Sequence, residues 1–317
     1  MRIAIIGPGA LGCTLGAYLL RAGREVVFLA RDEAQAERLV RQGLDLEGMR
    51  GSFHVPAPAT CDASRLGPVD LAIVATKAYD TASAMRQHAA AVGPATIVVT
   101  FQNGLGNVEA IGAIVGPARV LGGTTTLGAH RLEPGRVRHA GEGDTFVGEP
   151  SGGISGRAEH VARVLTEVGI PAAAVADVTT RIWAKLAINA GINALTALLR
   201  VRNGVLARHP ETRALVESAV REAATAARAH GIPLDADDLV KRARDVARRT
   251  GDNISSMLAD LLAGRRTEIA EINGAVAAAA RERGLPAPVN EALAALVRAA
   301  EATRAERVDP PDGRHPR

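Results

Sequence analysis

The strongest constraint on this chain lies at its start. An apolar run, residues 2–6, is followed at once by Gly7-Pro8-Gly9-Ala10-Leu11-Gly12 and then by a helical pattern over residues 10–21. A strand, a G-x-G-x-x-G turn and a helix in that order make the opening of a βαβ unit whose turn cradles a dinucleotide pyrophosphate. Gly7 permits the tight turn, Gly9 lets the backbone approach a phosphate, and Gly12 lets helix and strand pack closely. The helix N-terminus adds free N–H groups and the positive end of a dipole. Without its flanking strand and helix the pattern would describe only an ordinary glycine-rich turn. Arg2 followed by an uncharged stretch to Leu20 also matches a secretory signal superficially, but the glycines interrupt it and no small-residue cleavage site follows.

Further apolar runs at 26–30, 71–75 and 96–101 read as strands, the last two after Gly67-Pro68 and Gly93-Pro94. Their alternation with helical stretches predicts right-handed βαβ units and a parallel sheet. Residues 43–58 read as a small irregular hairpin excursion. Later strands are expected at 120–126, 136–139 and 145–147, with Glu133-Pro134-Gly135 as the turn between the first two. From about Asp177 the character changes. Residues 183–199, 211–230, 236–249, 268–283 and 290–304 carry helical periodicity and no strand signal. The fold class predicted is an α/β Rossmann-type dinucleotide-binding domain over 1–178, an all-helical C-terminal domain over 179–306, and a disordered tail over 307–317.

Composition narrows the function classes. A net charge of +4, with no basic stripe interleaved with aromatics, speaks against nucleic acid. No other apolar run is long enough to cross a membrane. Cys13 and Cys61 form no metal-type cluster, so no metal is expected, and they suit a reducing cytoplasm.

Cofactor choice is read at the end of the second strand. NAD enzymes place an acid there for the ribose 2′-hydroxyl, whereas this chain has Arg31, whose planar fork suits the 2′-phosphate of NADPH/NADP+. Asp32 is the rival, as a 2′-hydroxyl acceptor, and Arg31 could also be a plain solvated charge. The chain has only three lysines, Lys77, Lys185 and Lys241, in an arginine-rich background. Lysine can give up a proton near neutral pH and arginine cannot, so a retained lysine suits a general acid. Lys185, Asn189 and Asn193 follow one another at i, i+4 and i+8 among apolar residues, which makes a polar stripe on a largely buried helix. That stripe could equally be hydrogen-bonding glue between helices. Asn203-Gly204 reads as a turn. On spacing alone Ser256 reads as a helix N-cap and Glu268 as a first-turn acid.

Taken together the motifs resemble ketopantoate reductase. They are Gly7-Pro8-Gly9-Ala10-Leu11-Gly12, Thr76-Lys77, Gln102-Asn103-Gly104, Trp183-Ala184-Lys185-Leu186 with Asn189, Asn193-Ala194-Leu195-Thr196-Ala197-Leu198, Asn203-Gly204, Ser255-Ser256-Met257-Leu258 and Arg266-Thr267-Glu268-Ile269. They lie in order over roughly residues 1–305. The resemblance implies a 6-phosphogluconate-dehydrogenase-like architecture with the site in the cleft between domains. It also implies NADPH-dependent reduction of 2-dehydropantoate to (R)-pantoate, a step towards pantothenate and coenzyme A. By the same resemblance Lys185 is the general acid, and Glu268 is its acidic partner near the substrate hydroxyl and nicotinamide ribose. Asn189, Asn193, Asn203 and Ser256 bind substrate; Arg31, Lys77, Asn103 and Gly128 contact the cofactor, with Asn103 also near the substrate. Rival readings are a reductase of another small 2-keto or 3-hydroxy acid, and a non-catalytic NADP-binding sensor, which would need no general acid. A homodimer through the helical domain is compatible with the sequence.

Overall fold

The computed structural model describes residues 1–306, and the expected tail at 307–317 lies outside them. Two compact units emerge, Met1–Ile182 and the chain from Trp183 onward. The division falls inside the helix that spans Val178–Leu199.

The first unit runs β1 (Arg2–Ile6), α1 (Ala10–Arg21), β2 (Glu25–Leu29), α2 (Glu33–Gln42), β3 (Leu44–Gly48), β4 (Phe53–Val55), β5 (Ala59–Thr60) and β6 (Leu71–Val74). It continues with α3 (Thr81–Gln87), β7 (Ile97–Thr100), α4 (Asn107–Val115), β8 (Val120–Thr125), β9 (Gly128–Glu133), β10 (Arg136–Gly141), β11 (Thr145–Gly148), α5 (Gly156–Glu167) and β12 (Ala172–Ala174). Eight strands form one sheet in the order β12-β11-β8-β7-β6-β1-β2-β5. All neighbours in it are parallel except β11 against β8. The strands read as unbroken apolar runs because both faces are buried. Ile3, Ile5, Phe28 and Ile73 belong to the core on one face, and Ala4, Ile6, Leu29 and Val74 to the core on the other.

A second sheet, β4-β3-β10-β9, was not foreseen. The excursion at 43–58 does form the hairpin β3–β4, but β3 also pairs in parallel with β10. The turn at Glu133-Pro134-Gly135 does lead into the strand expected at 136–139, which is β10, but the strand before it is β9, which was not expected, rather than β8. This small sheet explains why α1 is apolar all round: Gly12 to Leu19 are buried throughout, and Tyr18 reaches across to the buried ring of His139, hydroxyl to Nδ1 at 2.7 Å.

The second unit is helical. It contains most of α6 (Val178–Leu199), then α7 (Val205–Arg208), α8 (Pro210–Ala229), α9 (Ala236–Arg249), α10 (Ser256–Leu262), α11 (Asn273–Glu282) and α12 (Pro288–Ala302). Helix α6 has the length and apolarity of a membrane span, but two-thirds of that stretch is buried in protein, as in a core helix. At Gly191 it passes so close to α8 that a Cβ would lie 2.9 Å from Val220. A buried polar seam ties the other helices to it. Asn273 Nδ2 donates to the Ala190 carbonyl at 2.9 Å and to Asn290 Oδ1 at 3.0 Å, and Asn290 Nδ2 donates to Ala219 O and Glu222. The helix expected over 268–283 begins only at Asn273.

Candidate active site

In the first unit the expected cofactor residues gather at the C-terminal edge of the parallel strands. Chain order reverses at β1, which has β2 on one side and β6 on the other. Such a switch point leaves a crevice beyond the strand ends. Gly7 sits at φ +95, and a Cβ there would meet the Thr76 backbone at 2.7 Å; a Cβ on Gly12 would lie 2.3 Å from the Gly7 carbonyl. The protein itself therefore requires both glycines. Gly9 differs: its Cβ would meet only the Ala75 carbonyl, at 3.7 Å, and its φ of −86 suits any residue. What Gly9 leaves open is space outside the chain. Pro8 is buried beside it, and Ala10 and Leu11 open α1. No side chain caps α1 and no acid lies in its first turn. An uncapped N-terminus beside an open glycine has the donors and the space to hold a phosphate.

The ends of β6 and β7 are joined by a network whose members Gln102, Thr81 and Asn107 the sequence reading had not assigned. Gln102 Nε2 donates to Thr76 O at 2.9 Å and to Thr81 Oγ1 at 2.8 Å. Thr81 Oγ1 in turn bonds Asn107 Oδ1 at 2.9 Å, and Asn107 Nδ2 holds the Asn103 carbonyl at 2.9 Å. Lys77 and Asn103, both half-buried, are thus brought to the same edge. The available signal was a polar pair directly after each apolar strand. Gly128 opens β9, where a Cβ would lie 2.8 Å from Gly141 N, so strand packing accounts for that glycine.

Arg31 follows β2 with its side chain 81% exposed and Nε 3.3 Å from Asp32 Oδ2. Asp32 is otherwise engaged: its carboxylate caps α2 by accepting from Gln35 N at 2.8 Å. That bond first, and Arg31 second, hold its carboxyl below the ordinary range.

In the second unit α6 carries the polar stripe. Lys185 and Asn189 are half-buried and Asn193 is buried. The Lys185 side chain keeps some access to solvent, yet the protein packed around it pushes the ammonium down from 10.5 to about 8, and the Glu268 carboxylate opposes that fall. Glu268, buried, lies in the irregular segment before α11, where Ile272 N donates to its carbonyl at 3.0 Å. It is therefore not a first-turn acid. Glu271, not foreseen, adds a carboxyl pushed up chiefly by burial and further by Glu268 and Glu301. Ser255, not Ser256, is the N-cap of α10, accepting from Leu258 N at 3.1 Å and from Thr196 Oγ1 at 2.8 Å. Ser256 is exposed at the first position of the helix. Asn203 is stitched to the segment after α9, its N to Asn253 O at 3.0 Å and its Nδ2 to Thr250 Oγ1 at 2.9 Å, while its buried Oδ1 has no partner. Gly204 has helical φ and ψ, and its missing Cβ makes room for Gly251.

Family models described as ketopantoate reductase PanE/ApbA and its C-terminal part match residues 3–152 and 177–301. The 2-dehydropantoate 2-reductase of Archaeoglobus fulgidus is 40% identical over 300 residues, 95% of this chain and 98% of the relative. Among solved structures, 2-dehydropantoate 2-reductase from Geobacter metallireducens has a TM-score of 0.88 at 33% identity, covering 95% of this chain and all of that one. D-mandelate dehydrogenase in ternary complex with NADH and anilino(oxo)acetate has a TM-score of 0.91 at 27% identity, covering 96% of this chain and 99% of that one.

Proposed function

The chain belongs to the ketopantoate reductase family, and from that premise we propose that it reduces 2-dehydropantoate to (R)-pantoate with NADPH, Lys185 delivering the proton. The observation that supports this most is the Lys185 ammonium at about 8 beside the Glu268 carboxylate. An acid with that pKa is mostly charged near pH 7 yet releases its proton readily, which is the match a general acid needs. The nicotinamide, when bound, supplies the hydride to the C2 carbon. As the carbonyl π pair moves onto oxygen, Lys185 Nζ stabilises the growing charge and transfers its proton to that oxygen, becoming a neutral amine. Glu268 holds the ammonium charged and oriented before transfer.

Neutral donors suit the rest of the substrate, because they bind a carboxylate and a hydroxyl without cancelling the lysine's field. Asn103, Asn189, Asn193, Asn203 and Ser256 fill that role in this reading, and the unpaired Asn203 Oδ1 is an acceptor for a substrate hydroxyl. Gly7 to Gly12, Lys77, Asn103 and Gly128 hold the cofactor. NADPH is favoured because the Arg31 fork stands in solvent while the rival carboxylate of Asp32 is spent on a helix cap. The two free thiols, Cys13 and Cys61, fit a cytoplasmic enzyme.

The test is NADPH and NADH consumption with a panel of 2-keto acids that includes 2-dehydropantoate and phenylglyoxylate. The expected result is the highest kcat/KM for 2-dehydropantoate with NADPH. Faster turnover of phenylglyoxylate would move the substrate to an aryl keto acid, and no turnover of any keto acid would leave a cofactor-binding protein without this chemistry.

A further inference from the structure

The Arg31 guanidinium has little of its own to hold it in place: it is largely exposed, and its one hydrogen bond among the described residues is a long one to the adjacent Asp32. Its main chain, by contrast, is pinned on every side. Ala30 N donates to Thr60 O at 2.9 Å, and the buried ring of His88 bonds the Ala30 carbonyl. Gln35 Oε1 accepts from Arg31 N at 3.1 Å. Gln87, the exposed last residue of α3, donates its Nε2 to the Arg31 carbonyl at 2.9 Å and to the Cys61 carbonyl at 3.3 Å. One amide thus ties the end of β2 to the segment after β5.

We propose that Gln87 is a positioning residue for cofactor selection: by fixing the Arg31 peptide it aims the guanidinium at the 2′-phosphate of the adenosine ribose. The inference rests on the reading that Arg31 meets that phosphate. The physical reason is leverage. A guanidinium sits ~6 Å out along its side chain, so a main-chain tilt of about 20° moves it by roughly 2 Å, enough to break a bidentate pair. Gln87 adds nothing to the apolar core, because its side chain lies on the surface. Its two bonds meet backbone carbonyls that solvent could otherwise satisfy. What they contribute is the orientation of one peptide, and the group that peptide directs is the one that separates NADPH from NADH.

The experiment compares two probes that differ only in the 2′-phosphate, adenosine 2′,5′-bisphosphate and adenosine 5′-monophosphate, by titration calorimetry on the full chain. Wild type should prefer the bisphosphate. Gln87→Met, which keeps the side-chain length and loses the donor, should reduce that preference roughly 3- to 10-fold, the size of one lost hydrogen bond, with the monophosphate unaffected. In an Arg31→Ala background Gln87→Met should change nothing further, because the clamp acts only through Arg31. If Arg31→Ala abolishes the preference and Gln87→Met leaves it whole, the clamp is refuted while the reading of Arg31 stands. Equal loss of both probes on Gln87→Met reduces Gln87 to a structural tie and overturns the proposal. A wild type without preference overturns both the clamp and the reading beneath it.

Discussion

Exchanging Glu268 for Gln removes one charge beside Lys185 while leaving the side-chain volume almost unchanged. Lys185 is lowered from 10.5 to about 8 because burial penalises the ammonium, and Glu268 limits the fall. Without the carboxylate only the lowering cause remains, so the pKa must drop further. An opposite charge at close range is worth roughly 1–3 pKa units. In the proposed mechanism reduction needs the protonated lysine, so activity in the wild type should fall as pH rises through about 8. In Glu268→Gln that alkaline limb should move to lower pH by the same roughly 1–3 units. For a displacement of one to two units, protonation alone costs about 3- to 25-fold in rate near pH 7.5, and acidification restores it. The assay is kcat and kcat/KM from NADPH consumption across about pH 5 to 10, with circular dichroism to confirm that the variant folds. A limb that stays in place, or a loss equal at every pH, would refute the electrostatic coupling and leave Glu268 a different role.

Three further expectations follow from the same geometry. Lys185→Arg keeps the positive charge but cannot readily release a proton, so kcat should fall by roughly 10²–10⁴-fold with NADPH affinity nearly intact; near wild-type kcat in steady-state kinetics would reduce Lys185 to an electrostatic support. Lys185→Met should stabilise the fold by on the order of 2 kcal/mol at pH 7 while abolishing turnover. The sign follows from a folded-state pKa of about 8 below the ordinary 10.5, which makes the charged lysine costly below about pH 8. That gain should fade towards pH 10.5, and urea unfolding at neutral and alkaline pH checks both points. Gly9→Ala should fold with an unchanged Tm, since its Cβ meets only Ala75 O at 3.7 Å, yet lose NADPH affinity by about tenfold or more because the methyl fills the space left for phosphate. Calorimetric titration that shows unaltered NADPH binding would count against the phosphate seat.

Much of the candidate site and of the fold around it was legible because the signals are local. A strand, a glycine turn and a helix are encoded within about twenty residues as an apolar run, glycines and a second apolar run, and the 3.6 period places α9 without knowledge of the rest of the chain. The stripe of Lys185, Asn189 and Asn193 and the place of Arg31 after β2 are of the same kind. The pairing of β3 with β10 is not, because it joins segments about ninety residues apart that carry no mutual signal. Glu268 was misplaced on a helix that begins at Asn273, since periodicity could not show where the backbone turns irregular. Whether Asp32 faces a ribose or caps α2, and whether Gln87 reaches the Arg31 carbonyl, depended on which groups the fold brings within hydrogen-bonding distance. The proton affinity of Lys185 depends on the fold in the same way. Its sequence neighbours make it a lysine on a helix, but desolvation by distant residues and the charge of Glu268 make it an acid near pH 8, and those act through space.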